Sequence, residues 1–317
     1  MIRHLIALVL ALFPAVASAQ SYPSRPVKLV VPWPPGGTVD GVARVMSSKV
    51  ATDLGQPLVI ENKPGAGGAL GAASVAGAAA DGYTLLMVFD THAVNHHLYA
   101  RLSYDPFKDF VAVSHLVTSP QAVVAANAFA PSSLAEVIAY AKARPGDVSY
   151  GSVGTGSSNH LNALALEART GIKMLHVPYK GGAPMMQDLV AGQINVMFVS
   201  APQAIPQVKA GRIRPLAVGS LTRMAQLPET PTLDETLKGF EAASWVGLVA
   251  PAATPAAIVA RVHQVFVAAL ADAEVRGRLI GQGFDIVGSS PQQFDRFVRV
   301  ESDRLGKVIR DNAIVVE

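Results

Sequence analysis

Twice in this chain a short apolar run breaks into a glycine-rich loop and then into a stretch with helical spacing. The first copy is Val27 to Pro32 (VKLVVP), the loop Pro34-Pro35-Gly36-Gly37-Thr38, and Val42, Val45, Met46, Val50 and Leu54 on one helix face. Gly55 ends it with Pro57 just beyond, a common helix stop. The second copy is Val148 to Tyr150, the loop Gly151 to Ser158, and a helix over about 159–169 halted by Gly171. Between them Leu58 to Glu61, the Gly65 to Gly71 run, a small-residue helix near 69–79 and the strand Tyr83 to Phe89 continue the alternation. Short apolar strands joined through loops and helices predict parallel α/β sheets.

The two copies fall in different halves of the chain, so two lobes are expected. Around 111–124 two apolar runs flank Thr118-Ser119-Pro120, which reads as the crossing into the second lobe. The expected division is residues 20–118 and 222–317 in the first lobe and 119–221 in the second. Each lobe is read as a mostly parallel sheet flanked by helices, with a ligand cleft between them. Trp245 to Val249 reads as one more strand, and 255–279 and 291–311 as helical.

The first 19 residues have a different character. Arg3, the apolar run Leu5 to Phe13 and the small-x-small site Ala17-Ser18-Ala19 read as a secretory signal cleaved after Ala19. Pro14 cuts the run well short of the roughly 20 residues a membrane span needs. An exported chain with no cysteine has no disulfide scaffold, thiolate zinc site, thiol nucleophile or lipidated cysteine anchor. The 26 Lys and Arg against 23 Asp and Glu give a net charge of +3, without the basic block or helix face of a nucleic-acid binder. The expected location is the periplasm.

Chemistry points to the two loops. A helix N-terminus carries unpaired N–H groups and roughly half a positive charge, so it holds a carboxylate or phosphate without a cationic side chain. Glycines let the ligand reach the backbone. Gly36, Gly37 and Thr38 are placed for this in the first loop; Gly154, Thr155, Gly156, Ser157 and Ser158 are in the second. Either loop read alone is more simply an ordinary capped turn; only the two together make ligand binding an equal reading. Asp40, in the first helical turn, reads as a cap complementing the dipole before a ligand contact.

Other motifs fall short. GxxxxGK[ST] is absent, and GxGxxG fails at Leu70 and at Asn159. Gly156-Ser157-Ser158-Asn159-His160 lacks the last glycine of a hydrolase elbow, and residues two apart share no helix face. His92, His96 and His97 read as a satisfied polar loop rather than a metal site. Lys180 faces the cleft or lies on a solvated loop, with the structural reading preferred.

The blocks VPWPPGGTVDGVAR (31–44), LGQPLVIENKPGAGGALG (54–71), DGYTLL (81–86), YDPFKDF (104–110), YGSVGTGSSNHL (150–161), HVPYKGGAP (176–184), DLVAGQINVMF (188–198) and WVGLVAPAATP (245–255) run along nearly the whole chain after the leader. In this order the chain closely resembles the substrate-binding receptors of tripartite tricarboxylate transporters, the Bug family. The resemblance implies a monomeric, two-lobed periplasmic receptor that closes on a di- or tricarboxylate, an amino acid or an aromatic acid. Such a receptor hands its ligand to large and small membrane permease subunits; it is not an enzyme, and no cofactor, metal or nucleic acid is implied. It places the carboxylate on the loop from Trp33 through Pro35 to Asp40, facing Gly154 to Ser158 and residues near Tyr179 and Ser200. Asp90, Thr91 and His160 complete the expected site. Three departures stand out: Trp33 where the family commonly has phenylalanine, Asp90 where it has a small residue, and Val199 where it often has aspartate. If Asp90 faces the cleft it favours an ammonium group; if it turns away it says nothing about specificity. The alternatives are a sensor that signals to a membrane partner and, more remotely, an exported hydrolase using Ser157 or Ser158.

Overall fold

The computed structural model describes residues 22–316; the leader expected over residues 1–19 lies outside them. The first lobe opens with β1 (Val27–Val31), α1 (Thr38–Leu54), β2 (Leu58–Asn62), α2 (Ala69–Ala76), β3 (Thr84–Phe89) and the short α3 (Asn95–Leu98). Then β4 (Phe110–Ala126) leads into α4 (Leu134–Ala143), β5 (Ser149–Ser152), α5 (Ser158–Thr170), β6 (Leu175–Pro178) and α6 (Gly182–Val190). They are followed by β7 (Val196–Ser200), α7 (Ala201–Lys209), β8 (Ile213–Val218) and α8 (Leu233–Thr236). The chain returns through β9 (Ala243–Pro251), α9 (Ala256–Ala271), α10 (Ala273–Gly281), β10 (Asp285–Ile286) and α11 (Pro291–Asp311). Among the described residues no single helix is long and apolar enough to cross a membrane.

The strand order is β2-β1-β3-β9-β4-β7-β5-β6, with β8 and β10 also on β4. The outer pairs β1–β2, β1–β3, β5–β6 and β5–β7 are parallel, as apolar strands linked by helices should be. The middle is antiparallel: β9 runs against β3 and β4, and β4 runs against β7 and β8. Each lobe is therefore a mixed sheet.

The two apolar runs around Thr118-Ser119-Pro120 form one 17-residue strand, about 55 Å long at a strand's rise per residue. Its first part, through Pro120, pairs with β9; its second part, from Gln121, pairs with β7 and β8. Pro120 sits where the partner changes, a place that tolerates its missing N–H. The second crossing lies beside the first. Gln121 N donates to Ala242 O at 2.9 Å, Gly219 N to Gln121 O at 2.6 Å, and Ala242 N to Gly219 O at 3.1 Å. A Cβ on Gly219 would lie 2.0 Å from Ala242 O, so no side chain fits at this crossover.

The cores follow the lobes. One cluster under the first sheet joins Leu29, Val42, Met46, Leu85, Leu248 and Phe266; the opposite face carries Val30, Leu86, Trp245, Phe294 and Leu305. The second lobe has its own cluster around Val124, Tyr150, Met185, Met197 and Leu216. That cluster also takes in Met224, Leu227, Leu233 and Ala242, which follow residue 221 in the chain. Those side chains are buried against it after the strand β8, and only at Ala243 does the chain rejoin the first sheet. The long α11 buries Phe294, Val298, Leu305 and Ile309 along one face, and Leu161 of α5 joins that first-lobe cluster.

Candidate functional site

A cavity of about 390 Å³ lies between the lobes. From the first lobe the loop Trp33 to Val39 and Phe89 line it. Gln121 and Ser244, at the crossover, make its floor. The second lobe contributes Val153, Asn159, the segment Lys180 to Pro184 and the start of α7, with Ser200, Pro202 and Gln203.

Three helices, α1, α6 and α7, begin at this space and a fourth, α5, reaches it at Asn159; none is closed by its own side chain. The N-caps of α1, α5, α6 and α7 are Gly37, Ser157, Gly181 and Ser200, and no cap side chain accepts a hydrogen bond from the helix behind it. Elsewhere Ser133, Thr232, Asp272 and Ser290 do cap their helices. First-turn N–H groups at the cavity, such as those of Thr38, Val39, Gly182 and Ala183, therefore lack the side-chain partner that those four caps supply. Gly36 at φ 81° and Gly181 at φ 124° adopt backbone that other residues avoid, which turns the loops into these helix starts. The only charged side chain among the lining residues is that of Lys180, and no carboxylate lines the cavity. Donors and one cation suit an anion.

The lobes touch across the mouth. Thr38 Oγ1 and Ser200 Oγ are 2.7 Å apart, and Gln203 Nε2 donates to Thr38 Oγ1 at 3.4 Å. Trp33 walls the cavity, half-buried and edge-on to Phe89 at 5.8 Å and 75°.

Asp40 holds the first loop rather than lining the site. Its carboxylate accepts from Gly36 N at 2.9 Å, from Arg44 Nε at 2.7 Å and from Asn62 Nδ2 at 3.0 Å. Asn62 Nδ2 also donates to Trp33 O at 3.0 Å. Burial alone would raise the Asp40 pKa, but the bonds from Arg44, Gly36 and Asn62 outweigh it and hold it below the ordinary value.

Of the expected site, the cavity gathers Trp33, Pro35, Gly36, Gly37, Thr38 and Ser200. It does not gather Gly154, Thr155, Gly156, Ser157 and Ser158, of which only the flanking Val153 and Asn159 reach it. That loop is folded on itself: Ser157 Oγ donates to Gly154 O at 2.6 Å, and Gly156 N donates to His160 Nδ1 at 3.0 Å. A Cβ on Gly156 would lie 2.1 Å from Leu98, so the loop abuts the first lobe away from the cavity. His160 stacks on His176 at 4.0 Å, and burial with that neighbour pushes its pKa down to about 3. Tyr179 donates from its hydroxyl to Asp188 at 2.7 Å; burial and that carboxylate push its pKa up to about 12. Asp90 and Thr91 lie behind the wall, both buried.

The hydrolase alternative loses its geometry here. Ser157 is spent on Gly154 O, Ser158 lies against Gln121 and Ser244, and the His160 ring faces His176. The second wall comes instead from Lys180-Gly181-Gly182-Ala183-Pro184, which repeats the strand, double glycine and helix order of the first loop. That order was the readable signal. Gln121 was readable only as a lone amide inside an apolar strand, and Ser244 had no signal.

Comparison with known proteins places this geometry. The model of the tripartite tricarboxylate transporter family receptor matches residues 42–314. Protein BugT of Bordetella pertussis is 34% identical over 300 residues, covering 94% of this chain and 92% of that protein. The R. palustris protein Rpa4515, solved with adipate, superposes with a TM-score of 0.89 at 35% identity, over 93% of this chain and all (100%) of that one. MatC (Rpa3494) from Rhodopseudomonas palustris, solved with bound malate, gives a TM-score of 0.85 at 34% identity, over 91% and 100% of the two chains.

Proposed function

The chain belongs to the tripartite tricarboxylate transporter receptor family, and from that premise we propose that this periplasmic solute receptor binds a small organic carboxylate in the cavity between its lobes and delivers it to the large and small permease subunits of such a transporter. Like its family it is a receptor and not an enzyme. The observation that carries the ligand class is the meeting of uncapped helix starts and Lys180 on a cavity that no carboxylate lines. Each helix N-terminus contributes about 0.3–1 kcal/mol toward an anion, and more where water is excluded. Adipate on Rpa4515 and malate on MatC are ligands of this chemistry.

The mechanism follows from the contacts. The carboxylate accepts from the N–H groups at the start of α1 and from the Thr38 and Ser200 hydroxyls. Because these hydroxyls belong to different lobes and already meet at 2.7 Å, a ligand that engages both favours the closed arrangement over the open one. Closure driven this way requires tighter binding to the closed form. Trp33 supplies an apolar wall for the ligand's carbon skeleton.

Thermal-shift screening with di- and tricarboxylates, amino acids and aromatic acids tests the reading, since a ligand of the folded state raises the melting temperature. A rise with at least one acid, absent with its amide, supports it. No rise with any acid, or equal rises with acid and amide, refutes it.

A further inference from the structure

Asp90 sits one residue past the end of β3 with 2% of its surface exposed and neither carboxylate oxygen in a hydrogen bond. Its neighbours are hydroxyls. Ser158 at the start of α5 and Ser244 at the start of β9, with the Thr91 N–H, lie near enough to favour its charged form, though none reaches good bonding geometry. The same two serines are held from the other side by one amide. Gln121 Nε2 donates to Ser158 Oγ at 2.8 Å and to Ser244 Oγ at 2.7 Å. Gln121 Oε1 accepts from Asn162 Nδ2 at 2.9 Å, which fixes the end of the amide that faces the serines. Both serine oxygens therefore already accept a hydrogen; the two hydroxyls also lie 3.0 Å apart, so one serine gives its hydrogen to the other and the pair has one hydrogen left to give. Gln121 and Ser244 line the cavity; Asp90 and Ser158 stand one layer behind.

We propose that Asp90 is a specificity-determining residue that acts through Ser158 and Ser244. As a carboxylate it only accepts, so it draws the one free serine hydrogen inward. The cavity floor at Ser244 then presents oxygen lone pairs alone. A ligand that carries a donor beside its carboxylate, a hydroxy or amino acid, pairs with that floor. The unsubstituted acid leaves it unpaired. The proposal deepens the acid-receptor reading and rests on it: the helix starts take the carboxylate, and the floor selects the substituent.

Protonation reverses the polarity. Burial raises the Asp90 pKa to about 7 against the pull of Ser158 and Ser244, and Glu301 of α11 adds to the rise. Glu301 is the charged group that acts on Asp90 from a packed element, and it pairs with Arg304 at 2.8 Å. On its own element the nearest titratable group is His92, which burial holds neutral. Below this pKa the neutral acid donates to one serine and frees a serine hydrogen for the cavity.

Isothermal titration with succinate, malate and aspartate tests the proposal, because the three share a skeleton and differ in the added hydroxyl or ammonium. At about pH 8.5 the wild type should favour malate and aspartate over succinate by at least about three-fold, the size of one neutral hydrogen bond. Asp90→Asn should shrink that preference, and so should Ser244→Ala, which removes the acceptor without touching the acid. Lowering the pH to about 6 should shrink it in the wild type but not in Asp90→Asn. Asp90→Asn removes a buried charge and keeps the shape, so it should fold; circular dichroism checks this, and Ser244→Ala carries the test if it does not. An unchanged preference in both variants, or a wild-type preference that ignores pH, overturns the proposal alone. Failure of all three acids to bind also overturns the proposal, whereas the acid-receptor reading falls only if the thermal screen finds no acid at all.

Discussion

Gly37→Asp separates stability from binding more sharply than any other change in the site. Gly37 is the N-cap of α1 at φ −77° and ψ 173°, ordinary extended backbone for a cap. A Cβ there would meet only Pro34 O, at 3.4 Å. Aspartate is among the best N-caps, better than glycine by a few tenths of a kcal/mol. The variant's carboxylate would accept from the first-turn N–H groups that wild-type Gly37 leaves open. The melting temperature should therefore hold or rise. Those N–H groups are the ones assigned to the ligand, and a second carboxylate about 4 Å from the first costs about 4 kcal/mol at an effective dielectric of 20. That is about a thousand-fold in Kd, and about a hundred-fold if the separation widens by an ångström or two. Gly37→Ser caps without charge and should cost only about ten-fold, the competition for one or two donors. Differential scanning calorimetry and isothermal titration with the best acid of the screen read the two quantities separately. Unchanged affinity in Gly37→Asp refutes the placement of the carboxylate at α1; a large fall in melting temperature refutes the claim that this helix start is open.

Other outcomes are accessible to routine measurement. Lys180→Met should weaken acid binding by about two- to five-fold and flatten its dependence on salt, the modest effect expected of an exposed cation at the mouth; an unchanged salt slope would place Lys180 outside the ligand's field. Gly219→Ala should destabilise the protein by about 3 kcal/mol or prevent folding, because its Cβ would lie 2.0 Å from Ala242 O at the lobe crossing; urea denaturation measures it, and a neutral result would mean that the crossing relaxes freely. The stacked His160 and His176 have folded pKa values pushed down to about 3 and about 4 by burial. The unfolded chain takes up those protons first, so stability should be full above about pH 6.5 and fall as pH drops from there toward 4. His176→Phe should blunt that fall in a pH series of melting curves, and an identical fall would exclude the pair as its source.

Much of the first lobe was legible because its strands are short, apolar and punctuated by proline and glycine. Gly36, Gly37 and Thr38 reach the cavity as their loop implied, and Gly55 ends α1 in the left-handed conformation expected of a glycine stop. The second glycine loop was misleading for a physical reason. Gly154 to Ser158 has the composition of an anion cradle, but the Ser157 hydroxyl and the Gly156 N–H are consumed by Gly154 O and His160. Composition reports donors and does not report who already uses them. Lys180 to Pro184 carried the same pattern in a less conspicuous form and supplies the wall instead. Pro120 read as a break, whereas β4 continues through it, because pairing passes there from one sheet to the other. The floor was the least legible part. Gln121 and Ser244 lie 123 positions apart and meet only because both crossings run side by side.

The central claim is that a carboxylate rests on open helix starts between the lobes. A crystal structure of the protein with the tightest-binding acid of the thermal screen tests it most directly. The account predicts a carboxylate oxygen within about 3 Å of an N–H at the start of α1 and of the Thr38 or Ser200 hydroxyl, ordinary hydrogen-bond distances, with both lobes in contact. A ligand seated on Lys180 alone, or bound outside the cavity with the α1 N–H groups still open, would contradict it.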